Sequence, residues 1–197
     1  MKLADRLSPE DAEVLRRSTQ TIVNQVSALK AMVDDFRDYA RLRAPVPAPL
    51  DLNALVGDVL ALYENSSVPI VKQLAEPLPA VWADGTQIRQ VIHNLVQNAQ
   101  DALEHLAARG LSPAIEVRTE LAGDRVRLAV SDNGGGFPEE LMARIFEPYV
   151  TTKTRGTGLG LAIVKKIVDE HHGAVTIENR PSSGASVSVL LPLAKAA

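Results

Sequence analysis

Proline holds every second position in Ala44-Pro45-Val46-Pro47-Ala48-Pro49, and no other stretch of the sequence constrains the fold as strongly. Proline lacks an amide hydrogen and drives the residue before it towards extended geometry. Neither a helix nor a central strand can cross such a run, so the chain must divide there. The alternation predicts a short, stiff polyproline linker over 44–50, joining a segment at 1–43 to a domain at 51–197.

Upstream of the break, Leu15, Ile22, Val26, Leu29, Val33, Phe36 and Ala40 step by 7, 4, 3, 4, 3 and 4 residues. That spacing is a heptad seam, interrupted once by Thr19, a small polar residue of the kind that sets register. Ser8-Pro9-Glu10-Asp11 reads as a helix start, with Ser8 as N-cap, Pro9 in the first turn and Asp11 placed to answer the cap. One helix is therefore predicted from Pro9 to Arg43, about 50 Å long at about 1.5 Å per residue. A single apolar stripe on so long a helix calls for a partner helix in a coiled coil or bundle. The alternative is a solvated helix packed on its own domain.

Downstream, Leu52, Leu55, Val56, Val59, Leu60 and Tyr63 mark an amphipathic helix, and Ile70 to Leu74 a strand. A short extended piece at Val81 and Trp82 precedes a strong helix that opens near Asp84-Gly85-Thr86, runs through Leu106 and stops at Gly110. Ile115 to Leu121 and Val126 to Val130 alternate about Ala122-Gly123-Asp124, a hairpin signal. A short helix at Pro138 to Ile145, a longer one from Gly158 to His171 closed by Gly173, and a second hairpin at Val175 to Glu178 and Ser186 to Leu191 complete the order. This succession predicts an α/β fold: a two-layer α/β sandwich on a mixed sheet, preceded by one long helix.

The formal net charge of -3 disfavours nucleic acid, whose phosphates require a basic excess. The absence of cysteine removes disulfides, thiol nucleophiles and cysteine-ligated metals, and four histidines leave little for a zinc site. No window reaches the roughly 18 apolar residues that span a bilayer, and the start lacks a signal peptide's apolar core. A soluble, cytosolic protein without membrane contact is expected.

Three clusters carry chemistry. On the helix that opens near Asp84, Asn94 and Asn98 are four apart and share a face with apolar neighbours. Asparagine is a mediocre helix former, so the pair either holds a ligand, such as Mg²⁺ through a carboxamide oxygen, or serves neighbouring elements by hydrogen bonds. Asp132-Asn133-Gly134-Gly135-Gly136-Phe137 follows a hydrophobic strand. Its glycines permit close approach to a flat ligand and Asp132 can accept a bond from an exocyclic amine, yet such loops are also ordinary turns. Thr151-Thr152-Lys153-Thr154-Arg155-Gly156-Thr157-Gly158-Leu159-Gly160-Leu161 combines cations, hydroxyls and glycines ahead of a helix. That combination favours a polyphosphate over a simple hinge. Neither the dinucleotide glycine fingerprint nor the Walker-type loop is present.

Taken in order, these clusters resemble the histidine kinases of bacterial two-component systems, whose catalytic domain has the GHKL, or Bergerat, fold. Gln90 to Ala102 looks like their N box, Asp132 to Gly136 like the G1 box, Ile145-Phe146-Glu147-Pro148-Tyr149 like the F box and Gly156 to Leu161 like the G2 box. The likeness covers about Leu50 to Leu193. The N-terminal helix resembles the second helix of their dimerisation hairpin, with wording nearest the nitrogen-regulation, NtrY-like group.

The resemblance implies ATP or ADP and Mg²⁺ as ligands. Asn98 would hold the metal, with Asn94 and Lys153 beside it at the phosphates. Asp132 would bind the adenine amine, Gly134 and Gly136 would shape its floor, and Thr152, Lys153, Arg155 and Gly156 to Gly160 would form a lid. Asp101, Phe137, Thr151, Thr157, Leu159 and Leu161 complete the implied nucleotide set. Related gyrase-type ATPases carry a water-activating glutamate where Asn94 stands. His93 and His105 are expected to be helix residues rather than catalysts, and His171-His172 to sit at a helix end where a partly charged ring suits the dipole.

The family's phosphoacceptor histidine, in its own sequence context, has no match here. The expectation is a piece of a longer kinase that keeps the nucleotide site, transfers phosphoryl to a histidine on a missing helix, forms a homodimer when entire and serves a response regulator. The competing expectation is an ATP-gated conformational or partner-binding module of the same fold that transfers nothing.

Overall fold

A computed structural model describes residues 8–40, 42–103, 112–153, 156–181 and 184–194. Helix α1 spans Pro9–Ala40. Its predicted cap is present: Ser8 Oγ accepts from Asp11 N–H at 3.1 Å and donates to Asp11 Oδ2 at 2.7 Å. The helix ends earlier than the heptad reading to Arg43, and 42–47 has no regular element. The seam residues Leu15, Ile22, Val26, Leu29, Val33 and Phe36 are all exposed.

The proline run does not stay outside the domain. Ala48–Leu50 forms β1, antiparallel to β3 at Val81–Ala83, because alternate prolines tolerate an edge position even though they cannot donate to a central ladder. Asp84 ties this join together: its Oδ2 accepts from Val46 N–H at 3.0 Å and its Oδ1 from Thr86 N–H at 2.9 Å. The carboxylate therefore caps the following helix while holding the linker.

Helix α2, Leu52–Ala61, starts where Asp51 Oδ1 accepts from Ala54 N–H at 3.0 Å. Strand β2, Ile70–Leu74, is followed after β3 by α3, Gly85–Leu103; the predicted continuation to Leu106 and the stop at Gly110 lie outside the described residues. Strands β4, Ile115–Ala122, and β5, Arg125–Asp132, pair about Gly123-Asp124 as the hairpin signal predicts. After the four-residue α4, Glu139–Met142, come α5, Gly160–Glu170, then β6, Ala174–Asn179, and β7, Ala185–Pro192.

The main sheet has the order β2-β4-β5-β7-β6, with β2 parallel to β4 and the other pairs antiparallel. The mixed sheet of the prediction is thus observed. Alternate residues of its central strands, Ile115 and Val117, Val126, Leu128 and Val130, Val187, Val189 and Leu191, are buried on one face. The apolar stripes of α2, α3 and α5 cover that face and form one core with it.

His171 stands at the end of α5, as expected, but its hydrogen bonds do not fit a partly charged ring. It is 2% exposed, its Nε2 accepts Asp84 N–H at 2.9 Å and its Nδ1 lies 2.8 Å from Ile167 O. Nε2 must then be bare and Nδ1–H the donor, a neutral tautomer that joins the end of α5 to the start of α3.

Candidate functional site

The stripe that buries Ile88, Val91, Ile92, Leu95 and Ala99 turns the opposite edge of α3 towards a cavity of about 1520 Å³. Asn94, Asn98 and Asp101 reach it because they lie three to four residues apart on that edge. The cavity is also lined by Asp132, Gly136 and Phe137 from the segment after β5, and by Thr151, Thr152, Lys153, Gly156, Thr157, Gly158, Gly160 and Leu161 from the glycine segment. Three clusters separated in sequence thus share one wall-to-wall site. Arg155 lies outside the described residues.

Asn98 is the junction. Lys153 Nζ donates to Asn98 Oδ1 at 3.2 Å and to Asp101 Oδ2 at 2.8 Å, and Gly160 lies beside the amide, where a Cβ would be in ordinary contact at 3.5 Å from Asn98 Nδ2. The oxygen pair of Asn98 and Asp101 therefore already faces a cation. These are hard oxygen donors, which suit Mg²⁺ when phosphate and water complete its shell. The other halves of the amides are unspent: Asn94 Nδ2 and Asn98 Nδ2 are buried without a hydrogen-bond partner. Burying such donors unpaired costs free energy, so a ligand with acceptor oxygens fits them.

Helix α5 opens beside them with no side-chain cap at Leu159. Its first amides are free for an anion, and the helix dipole favours one there. The approach to α5 is shaped by Gly158, at φ +70, whose carbonyl accepts Tyr149 N–H at 3.0 Å. A Cβ on Gly158 would stand 2.6 Å from Tyr149 C, so only glycine fits against that backbone. Thr151 and Thr157 spend their hydroxyls locally, accepting from Lys153 N–H at 3.0 Å and Leu159 N–H at 3.3 Å.

Two residues of the predicted set serve differently from the expectation. The Leu159 side chain is fully buried in the core, because it begins the apolar stripe of α5, and only its backbone belongs to the loop. Gly134 does not line the cavity but donates its amide to Asp132 Oδ1 at 2.8 Å, fixing that carboxylate. Asp132 is 7% exposed, and burial pushes its carboxyl above the ordinary aspartate range. The amides of Gly134 and Ala185 and the charges of Arg180 and Lys153 oppose that shift without cancelling it.

Sequence reasoning missed the apolar part of the wall, where Ala102, Val130, Leu141, Ile145, Val150 and Val187 line the cavity. Their only signal was hydrophobicity, which marks core and pocket alike. It also missed Asn179, which binds the backbone of Phe137, because a polar residue before Arg180-Pro181 reads as the start of a turn.

Residues 83–195 match the model of the histidine kinase-, DNA gyrase B- and HSP90-like ATPases. The nitrogen regulation protein NtrY of Azorhizobium caulinodans is 34% identical over 92% of this chain, which spans 24% of that protein's length. Among solved structures, the catalytic domain of histidine kinase ThkA is 37% identical, with a TM-score of 0.66, over 75% of this chain and 96% of that domain. The ThkA complex with response regulator protein TrrA is matched over 95% of this chain and 53% of that one, with 32% identity and a TM-score of 0.73. Full-length ShkA in complex with AMPPNP is 30% identical, with a TM-score of 0.74, over 98% of this chain and 41% of that one. With the family match covering more than half of the chain and the likeness to ThkA nearly the whole of its catalytic domain, the chain belongs to the histidine kinase-, DNA gyrase B- and HSP90-like ATPases, as a sensor histidine kinase catalytic domain with NtrY-like relatives.

Proposed function

We propose that this chain is the ATP-binding catalytic module of a two-component sensor kinase, acting on the cytosolic side. It delivers the γ-phosphoryl group of Mg-ATP to a histidine on a helix outside these 197 residues, for relay to a response-regulator aspartate. The observation that carries the reading is the convergence at Asn98: unspent amide donors, the uncapped start of α5 and the Lys153 ammonium surround one point of the cavity, with Asp132 on the same wall. The AMPPNP bound by ShkA, an ATP analogue, supports the ligand class.

Phosphoryl transfer to an imidazole demands little proton chemistry, since a neutral ring nitrogen already has its lone pair. The P–O bond to the β-phosphate breaks as the P–N bond forms, ADP departs, and the ring proton goes to solvent. What the protein supplies is alignment and compensation of charge. Asn98 and Asp101 would hold Mg²⁺, which neutralises the phosphate oxygens. Asn94 donates to phosphate through its free Nδ2 and, being an amide, offers no base to activate water. The first amides of α5 and the Lys153 ammonium receive the remaining negative charge, and Asp132 orients the base.

Transfer of label from γ-labelled ATP tests this reading, with the present chain as donor and a longer form, bearing the acceptor helix but disabled by Asn98→Ala, as acceptor. Acid-labile, base-stable label on the acceptor is the expected result. ATP binding without any transfer would instead favour a nucleotide-gated arm. One contact favours that second reading: Lys166 of α5 donates to Tyr39 O of α1 at 3.2 Å and lies 5.1 Å from the Tyr39 ring centroid. The phosphate-facing helix and the exposed heptad arm are thereby in direct contact.

Asp132→Asn exchanges an acceptor for a mixed donor and acceptor, and the preference for adenine over guanine is expected to fall about 10-fold or more, as for a hydrogen bond to a charged group. The pH dependence has a definite sign. Base recognition needs the ionised carboxyl, so ATP affinity should decline as pH falls through a value above the ordinary aspartate range, and the Asn variant should lack that decline. The raised value also means that burial of the ionised form costs stability. This group's contribution to the fold is therefore most favourable at acid pH and diminishes as pH rises through the raised value, so protonation of Asp132 does not itself destabilise the fold. Titrations of ATP and GTP binding across pH check both points, and an unchanged base preference would remove Asp132 from this role.

A further inference from the structure

The end of β6 reaches the loop after β5 through one side chain. Asn179 Oδ1 accepts Phe137 N–H at 2.8 Å, and Asn179 Nδ2 donates to Phe137 O at 2.8 Å. A single carboxamide thus satisfies both polar backbone groups of a residue 42 positions earlier, as a neighbouring strand would. The fit is close on each side. A Cβ on Gly136, which has φ +74, would stand 2.8 Å from Asn179 Oδ1 and 3.2 Å from Gly184 O, so only glycine lets the loop lie against this clamp.

The same turn closes on the base-binding carboxylate. Arg180 N–H donates to Gly184 O at 2.9 Å, shutting the turn between β6 and β7, and the next residue, Ala185, gives its amide to Asp132. On the other side Gly134 N–H holds Asp132 Oδ1. Asp132 is therefore gripped between the loop that Asn179 pins and the turn that Asn179 begins. Asn179 itself is exposed and does not line the cavity; it meets the wall through Gly136, Phe137 and its strand partner Ala185.

We propose that Asn179 is a positioning residue for base recognition: by pinning Phe137 and Gly136 it sets the placement of the segment that carries Asp132, and so tunes adenine selectivity without acting on the phosphates. The proposal rests on the nucleotide reading of the site. A merely structural clamp would lower stability and leave selectivity alone. A positioning clamp shifts the loop against the base while Asn98, Lys153 and the start of α5, which no bond connects to Asn179 among the described residues, keep their phosphate affinity.

The experiment compares ATP, GTP and inorganic triphosphate binding by calorimetry for the full chain, Asn179→Ala and Asn179→Asp, with melting temperatures alongside. Asn179→Asp keeps an acceptor for Phe137 N–H but sets a bare oxygen against Phe137 O, which guards against a poorly folded alanine variant. Both are expected to lower the ATP-to-GTP affinity ratio by roughly 10-fold with triphosphate affinity unchanged, the size of one hydrogen bond to a charged group. A lower melting temperature with the ratio intact would overturn the proposal, as would equal losses for all three ligands. An unmodified chain that does not prefer ATP would overturn the nucleotide reading itself, and the proposal with it.

Discussion

Replacing Asn98 by alanine is expected to weaken ATP binding in the presence of Mg²⁺ by roughly 100-fold, the upper end of what loss of a metal-site partner costs. In chelator the loss should be much smaller. The difference follows from the two halves of the amide. Its oxygen already faces the Lys153 ammonium at 3.2 Å, beside Asp101, and is the hard donor a magnesium ion accepts. Without it, a single carboxylate remains on that side of the cavity among the described residues.

The fold itself should tolerate the change. Alanine is the better helix former, and truncation removes Asn98 Nδ2, a buried donor with no partner. The Lys153–Asp101 ion pair at 2.8 Å survives. The expected signature is therefore an unchanged or slightly higher melting temperature with Mg-dependent affinity lost. Calorimetric titration with and without chelator reads it, and equal losses in both would make Asn98 a structural residue.

Gly184→Ala should produce the largest loss of stability, on the order of 4 kcal/mol, at the upper end of single-residue effects. Gly184 sits at φ +82, where an L side chain is already strained. More costly is its neighbour: a Cβ would overlap Asp132 O and stand 2.7 Å from Asp132 C and 2.8 Å from Asn133 Cα. None of these atoms can yield easily, because Asp132 ends β5 within the five-stranded sheet and Asn133 is itself bonded to Ala114 N–H at 2.8 Å and Ser112 O at 2.9 Å.

Gly123 provides the control within the same molecule. It has φ +66 but nothing within 4 Å of a Cβ, so Gly123→Ala should cost only the backbone term, about 1–2 kcal/mol. Denaturant midpoints of the two variants separate steric overlap from backbone strain, and equal costs would refute the close approach of the turn to Asp132. Since that overlap presses on the backbone of Asp132, whose carboxylate is proposed to bind the base, ATP affinity should also fall in Gly184→Ala and remain in Gly123→Ala.

Much of this architecture was legible residue by residue. The alternation of Ile115 to Leu121 and Val126 to Val130 about a glycine turn, and the stripe from Ile88 to Ala99, are local patterns whose period is set by backbone geometry. They placed β4, β5 and the start of α3 to within a few residues. The residues of the three clusters were legible as well, and the structure brings them to one cavity, although each cluster alone left a structural alternative open. Where local propensity competed with partners, the sequence misled. Prolines 47 and 49 announced a linker, yet Ala48–Leu50 finds a strand in β3. His171 does end α5, as expected, yet its ring also joins that end to Asp84, 87 residues away, which no local pattern announced.

By itself, then, the sequence determined most of the helices and strands, which faces are apolar and which chemical groups the cavity would offer. Only the tertiary structure decided how those groups meet. Antiparallel pairing of β5 with β7, with β6 beyond it, carries Asn179 and Gly184 onto the loop at 134–137, and packing of α5 against α3 sets Gly160 against Asn98. Periodicity is a property of neighbours along the chain. It holds no information about which distant strand lies alongside, and that choice belongs to the packing of the one core shared by the sheet and its three helices.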